Sequence, residues 1–341
     1  MKKTILFLIG LVCVSVNSLA DTRAQALLLH NGQGKSFDAD LLQQAVNEAV
    51  AGDTIYLSEG TFNLNGILII NKDVSLIGAD GEKTILRGSI NFAIDGEPTI
   101  SRYLLDALKI TNSLEVSKVQ HGLHIRKCWI GHHLSASADV TDLQIDRCYV
   151  DTLLPVANIK SASVVNSVMA YVGYQQKNKE SYIYDTTGND WYFLNCSIAY
   201  FYVKTYVDSN VAYIKDANLE NSIVWVIVMS EEVNTFTNCL TPGGYGSGTK
   251  KNCYVGNFSS NITLNASRDN YPSFIIGTTS IGIGSISALE SRNYYGTDGT
   301  VVGALGGATP FTLTSEGIGI RESVLKVDPV TRQLNVTLKV E

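Results

Sequence analysis

His132 and His133 are the side chains of this sequence best suited to proton transfer, because imidazole titrates near neutral pH. They lie four and five residues past Cys128. Asp151 and Thr152 lie at nearly the same places past Cys148, and Tyr171 does so past Ser167. A fold that stacks these segments would gather His132, His133 and Asp151 into one patch fit for general acid–base work. Lys204 is the cation that a β-elimination would want beside them. Exposed polar decoration is the plainer reading of the same residues. The tyrosines suggest a different chemistry. Nine of the 17 fall in residues 171–213, and Tyr171, Tyr174, Tyr182, Tyr184, Tyr200, Tyr202 and Tyr206 are the candidate ligand-binding set. Their flat rings suit the apolar faces of sugars, and their hydroxyls suit sugar oxygens. External strand tyrosines chosen for β propensity would give a similar density.

Metal and redox chemistry find less support. Asp139, Asp142, Asp146 and Asp151 are the acidic set that could hold calcium, but their spacing is not that of an EF-hand loop. Strand alternation would also scatter them over different faces. No cofactor is therefore expected, with calcium as the alternative. Beyond Cys13, Cys128, Cys148, Cys196, Cys239 and Cys253 include no CxxC pair and no zinc spacing. An odd count of five over so long a chain is not a disulfide framework.

The neighbours of these cysteines explain them. Lys127-Cys128, Arg147-Cys148, Asn195-Cys196, Asn238-Cys239 and Asn252-Cys253 share a polar-then-Cys step. Asn166-Ser167 and Asn221-Ser222 repeat it with serine, and Asn112-Ser113 is a weaker eighth copy. Three residues earlier stand Ile125, Ile145, Val164, Phe193, Leu219 and Phe236, and two later stand Ile130, Val150, Met169, Ile198 and Val224. The mean spacing of the anchors is 20 residues, with two long intervals of 29 and 26 that contain the tyrosines. A period near 20 marks a stacked repeat. The apolar positions alternate at period two and lack a helical half, which excludes a leucine-rich repeat and points to strands. The expected fold is all-β: a right-handed, single-stranded parallel β-helix with successive coils about 4.8 Å apart. Cys and Ser then stack as small core residues beside a bend. The asparagines are expected to hydrogen-bond their own copies one coil up. Facing thiols, Cys128 with Cys148 above all, could pair.

Open solenoid ends must be covered. Leu41, Leu42, Ala45, Val46, Ala49 and Val50 form an apolar stripe at helical spacing, and Asp40 with Gln43 resembles a capping box. A capping helix is expected over 38–51. At the other end, 324–327 and 334–340 alternate around Asp328-Pro329 and read as a terminal β cap. Lys2, Lys3, the apolar run 5–16 and Ser18-Leu19-Ala20 have the layout of a secretion signal. The expected organisation is a signal peptide at 1–20, an N-terminal segment with the capping helix at 21–52, the β-helix at 53–311 and the C-terminal cap at 312–341. The protein is expected outside the cytoplasm, in the periplasm, secreted or at the cell surface, with no membrane span. A net charge of −6 gives no footprint for nucleic acid. A monomer is expected.

The stretches 42–46, Ala51-Gly52-Asp53-Thr54-Ile55-Tyr56-Leu57 and Glu59-Gly60-Thr61-Phe62 resemble the opening of pectate-lyase-like right-handed β-helix proteins. Val74-Ser75-Leu76-Ile77-Gly78 continues the resemblance. Gly299-Thr300 through Gly303-Ala304-Leu305-Gly306-Gly307 to Pro310-Phe311 resembles the closing segment of secreted β-helix proteins of Bacteroidetes type, many without an assigned function. The resemblance implies the fold and a place in polysaccharide binding or processing. The catalytic motifs of pectate lyases and polygalacturonases are missing, and Gly131-His132-His133 only echoes one of them. The leading expectation is therefore a polysaccharide-associated protein with catalysis unassigned. A structural or adhesive surface protein is the alternative, and a polysaccharide lyase is a further one.

Overall fold

The computed structural model describes residues 24–94, 104–118, 120–154, 159–173, 182–183, 190–202, 204–207, 210–213, 217–228, 234–242, 249–256, 274–276, 279–281, 289–290, 293–312, 320–327 and 334–340. Along 182–183, 202, 204–207, 210–213, 226, 228, 242, 254–256, 274–276, 279–281, 320–327 and 334–340 this description is of the backbone path.

The chain is a right-handed parallel β-solenoid. Each coil gives one strand to each of two long sheets. The first sheet stacks 54–57, 75–78, 104–106, 124–126, 143–146, 161–165, 190–194, 218–220, 235–237 and 249–251, all parallel. The second stacks 60–70, 84–92, 109–110, 129–136, 149–153, 168–172, 197–202, 223–228, 240–242 and 254–256. A short third side pairs 120–121 with 140–141. The predicted apolar slots fill the interior: Ile125, Ile145, Val164, Phe193, Leu219 and Phe236 from the first sheet, and Ile130, Val150, Met169, Ile198 and Val224 from the second, are all buried. The first coils bury Phe62 and Phe92 among aliphatic residues, and the coils from 104 to 172 have aliphatic cores. Later ones are aromatic, with Phe193–Phe201 and Phe201–Phe236 edge-on at 6.0 and 6.2 Å between ring centres. The indole of Trp191 donates to the Ile159 carbonyl at 3.2 Å, so its polar atom is satisfied in the core.

The polar-then-Cys step is the corner between the two sheets. Lys127, Arg147, Asn166, Asn195, Asn221, Asn238 and Asn252 all have φ between 48° and 52°, the left-handed region. Asparagine enters that region more readily than most residues. The corner turns the next residue inward, where its small side chain closes a ladder. The backbone N–H of Cys148 donates to Ser167 Oγ at 3.0 Å, that of Cys196 to Ser222 Oγ at 3.0 Å, and that of Cys128 to Cys148 Sγ at 3.4 Å. The same side chains donate in turn to the carbonyl two residues back, Ser167 to Val165 at 2.7 Å and Ser222 to Glu220 at 2.8 Å. An unpaired buried N–H costs about 1–3 kcal/mol. The slot therefore needs a group that is small and can both donate and accept, and Cys and Ser meet both conditions. All five described cysteines are free, Cys128 and Cys148 included.

Two details of register differ from expectation. Lys109 pairs with Trp129, which aligns Ala107-Leu108, not Asn112-Ser113, with Lys127-Cys128. Ala107 has the corner conformation (φ 54°). Asn112 lies further along the second side and breaks the assumed spacing. The asparagine side chains do not serve an Asn–Asn ladder either: those of Asn166, Asn195 and Asn221 point outward to a distant segment described below.

The N-terminal end is covered as expected, but by a shorter helix. A 3-10 turn at Ala39–Leu41 leads into an α-helix at Leu42–Glu48. Leu42, Ala45, Val46 and Ala49 are buried, while Leu41 and Val50 at the stripe's edges are 41% and 48% exposed. No capping box forms. Gln43 instead reaches the first strand of the second sheet, accepting from Ile69 N–H at 2.8 Å and donating to its carbonyl at 3.0 Å. That bond pair occupies a strand edge that would otherwise be open. Strands 25–30 and 33–38 add antiparallel to the first sheet. Strands 320–327 and 334–340 form the expected antiparallel hairpin.

Candidate functional site

The outer face of the second sheet gathers the side chains with most chemical interest. Residues one past the Cys/Ser ladder point outward, so Lys109, Trp129 and Tyr149 stack in register. Lys109 Nζ sits 4.4 Å from the Trp129 ring centre, and the Trp129 and Tyr149 rings are 4.6 Å apart. A second row runs beside the first: His133, Thr152, Tyr171 and Tyr200 are consecutive register partners. Tyr171 and Tyr200 stack with ring centres 5.2 Å apart and planes 11° from parallel. Both rings are partly buried, as is Trp129.

The histidines occupy an irregularity in this face. The register shifts between Ile130 and His133, so the stretch Gly131-His132 stands against one residue of the next coil. A side chain at Gly131 would meet the Thr111 carbonyl oxygen at 2.6 Å, so the backbones approach closely and both imidazoles turn outward. Their rings are 4.3 Å apart, and His132 Nδ1 is 3.3 Å from Ser113 Oγ. Burial lowers the His133 pKa, the neighbouring His132 lowers it further, and Glu115 and Asp151 oppose both. The Asp151 carboxylate accepts from Thr152 Oγ1 at 3.0 Å and, at 3.5 Å, from the Tyr149 hydroxyl. Burial, then Asp151, pushes the Tyr149 pKa far up, so this phenol stays protonated and donates. The stack thus unites His132, His133, Asp151, Thr152 and Tyr171 in one patch, while the described bonds of Asp151 go to hydroxyls.

Several sequence candidates fall elsewhere. Tyr174 and Tyr184 lie outside the described residues. Tyr182, Tyr202, Tyr206 and Lys204 lie where the backbone path alone is described. The two long coils contribute a small sheet of their own. Strands 204–207 and 210–213 form an antiparallel hairpin, and 182–183 from the coil before pairs with 210–211. Members of the acidic set have partners of their own. Asp146 pairs with Arg147 at 2.9 Å, Asp139 lies 3.7 Å from Lys160, and Asp142 accepts from Gln144 at 3.2 Å. Among the described residues no three His, Cys, Asp or Glu side chains converge as metal ligands.

Sequence reasoning missed the cover over this face. Residues 293–311 return across the outside of the second sheet as a clasp. Ala304, Leu305 and Phe311 bury Tyr149, Val168, Ala170 and Ala199, and Tyr171 and Tyr200 pack against this cluster. Val301, Val302 and Leu289 cover Ile223, Trp225 and Leu240 further along. The corner asparagines fasten the clasp. Asn221 Oδ1 accepts from Thr297 N–H at 3.0 Å and Asn166 Nδ2 donates to the Gly306 carbonyl at 2.7 Å. Ser197 Oγ accepts from Ala304 N–H at 3.0 Å. A side chain at Gly307 would meet Asn195 Nδ2 at 2.3 Å, which explains part of this segment's glycine density. The one sequence signal for the clasp was the run of outward apolar residues at the slot after the ladder, Val168, Ile223 and Leu240.

Comparison with known proteins adds little to this geometry. No family model matches the chain, and no curated protein matches it. Among solved structures it is similar to ORF18 of Geobacillus virus E2, at 17% identity and a TM-score of 0.37, over 63% of this chain. The match spans 56% of that protein's length. Among the described residues, no helix is long and apolar enough to cross a membrane.

Proposed function

We propose that this chain is a secreted β-helix protein that holds a polysaccharide along the outer face of its second sheet, without itself cleaving it. The stacked Tyr171–Tyr200 pair, continuous with His133 and Thr152 and flanked by Trp129, is the observation that carries this reading. Its rings repeat at the spacing of the coils, so a linear polymer lying along the column would meet equivalent groups in succession. Partly exposed rings offer apolar faces to sugar C–H groups, and phenol, imidazole and Thr152 hydroxyl offer hydrogen bonds. Residues 1–20 are the secretion signal in this reading, and Tyr174, Tyr182, Tyr184, Tyr202, Tyr206 and Lys204 are further candidates for contact with the same polymer.

A structural or adhesive role is the second reading. It is favoured by the clasp, which seals much of the face with apolar contacts and leaves a stiff column suited to display. A glycan array separates the two. The binding reading predicts retention of one class of polysaccharide by the protein and its loss in the Tyr171→Ala/Tyr200→Ala double variant. Silence across the array, or binding that ignores both tyrosines, would refute it. Incubation with uronic polysaccharides tests the lyase alternative, which predicts new ultraviolet absorbance from unsaturated products; the non-catalytic reading predicts none.

A further inference from the structure

The cysteines share a place in the repeat but not an environment. Cys128, Cys148 and Cys196 are wholly buried, whereas Cys253 is only partly buried above a buried Cys239. Leu240 and Tyr254 are register partners, so the residues before them, Cys239 and Cys253, stand on adjacent rungs. Their thiols are within hydrogen-bonding reach of each other. Cys253 Sγ also donates to the Phe236 carbonyl of the lower coil at 3.2 Å. In-register parallel strands lie about 4.8 Å apart, inside the roughly 4.4–6.8 Å range of Cα separations that disulfides span. Cys128 and Cys148 stack in the same way, but no reagent can reach either.

We propose that Cys253 and Cys239 form a thiol–disulfide exchange site for low-molecular-weight disulfides, with Cys253 as attacking group and Cys239 as resolving group. The Cys253 thiolate bonds to one sulfur of the external disulfide, whose S–S bond breaks and releases one thiolate. The Cys239 thiol then gives up its proton and attacks Cys253 Sγ. The Cys239–Cys253 bond forms and the second external thiolate leaves. Each departing thiolate takes up one of the protons lost by the two cysteines. Two protein thiols are oxidised by two electrons, and one external disulfide becomes two thiols. The environment supports this order of attack. The hydrogen bond from Cys239 lowers the Cys253 pKa to about 6, helped by backbone bonds and the Lys250 charge, while burial raises that of Cys239. A thiol of lowered pKa with access to solvent is the reactive kind. The resulting bond would tie two coils together and does not depend on any glycan.

The test uses the purified native protein and oxidised glutathione, followed by acid quench and peptide mapping. The expected product is a cross-linked Cys239–Cys253 peptide pair, with Cys128, Cys148 and Cys196 unmodified. In Cys239→Ser, glutathione should remain on Cys253 as a mixed disulfide. That variant should fold, because serine occupies the same ladder slot at Ser167 and Ser222. Iodoacetamide should label Cys253 roughly tenfold or more faster than Cys196, and Cys253→Ser should leave no fast-labelling site among the ladder cysteines. Equal labelling of Cys253 and Cys196, or glutathione retained on wild-type Cys253 with no cross-link, would overturn the proposal.

Discussion

The corners of the column fall into an asparagine group and a cationic one. At Asn166, Asn195 and Asn221 the outer side of the corner meets residues 297–307, a segment more than 70 positions away. At Lys127 and Arg147 the backbone turns through the same angle, and Arg147 bonds to the adjacent Asp146. Inside the column both groups feed the same Cys/Ser ladder. Lysine and arginine at two corners show that the turn itself does not require asparagine. At Asn221 the amide both donates to and accepts from the returning segment, and at Asn166 it donates to it. One dipeptide step therefore serves the ladder inside and, at Asn166, Asn195 and Asn221, the returning segment outside.

Damage to the clasp should separate the groups most sharply. A Cβ at Gly306 would lie 1.7 Å from the Val301 carbonyl oxygen, so Gly306→Val must open the turn. The loss expected in urea unfolding is about 3 kcal/mol or more, since strain adds to exposure of Phe311 and Leu305. Protease cleavage within 293–312 should precede global unfolding. Next comes a direct comparison of corners. Asn221→Leu forces a poor left-handed residue and orphans Thr297, for about 2–4 kcal/mol. Arg147→Leu exchanges one poor left-handed residue for another and removes the ion pair to Asp146, for a smaller loss of about 1 kcal/mol. Equal losses would erase the distinction.

The inner function should be indifferent to which group a coil belongs to. Ser222→Ala leaves the Cys196 N–H without its acceptor and should cost about 1–3 kcal/mol, whereas Ser222→Cys should retain most of the stability, as five other rungs use a thiol. On the aromatic flank, Tyr171→Ala or Tyr200→Ala should weaken glycan binding roughly three- to tenfold in calorimetric titration, while the Asn166–Gly306 bond is untouched. The smallest effect concerns His133. Its folded pKa lies below its ordinary value, so the unfolded chain takes up the proton first as pH falls. It therefore contributes stability at neutral pH that is lost as pH drops through about 6.5 and below. His132→Ala removes one cause of the lowering and should raise the His133 titration midpoint in NMR; an unmoved midpoint would contradict that coupling.

The interior was legible in the sequence because its signals are local and repeat. Ile125, Ile145 and Val164 recur at one offset from the corner, and alternation alone assigns them to the core. Asn112 misled because it matches the dipeptide without matching the register that Trp129 and Lys109 set. The clasp was not legible, since it packs late residues onto coils far back in the chain, and no periodicity links Gly306 to Asn166. The aromatic flank was read in part. Tyr171 stood out by density, while Trp129 and Tyr149 required knowing that the residue after the ladder faces outward. The secretion signal, the tyrosines at 174 and 184 and the ligand are expectations of composition and pattern, and the bound glycan is the quantity the array supplies.

Every placement above depends on equivalent residues standing over one another in register. His124, Gln144, Ser163, Tyr192, Asn218, Thr235 and Thr249 form one outer row of the first sheet. Spin labels at positions 124 and 218, then at 124 and 249, in a Cys253→Ser background, measure that row by pulsed electron resonance. Four and six rungs predict separations of about 19 and about 29 Å. Distances that fail to grow by about 10 Å between the two pairs would contradict the column and every site built on it.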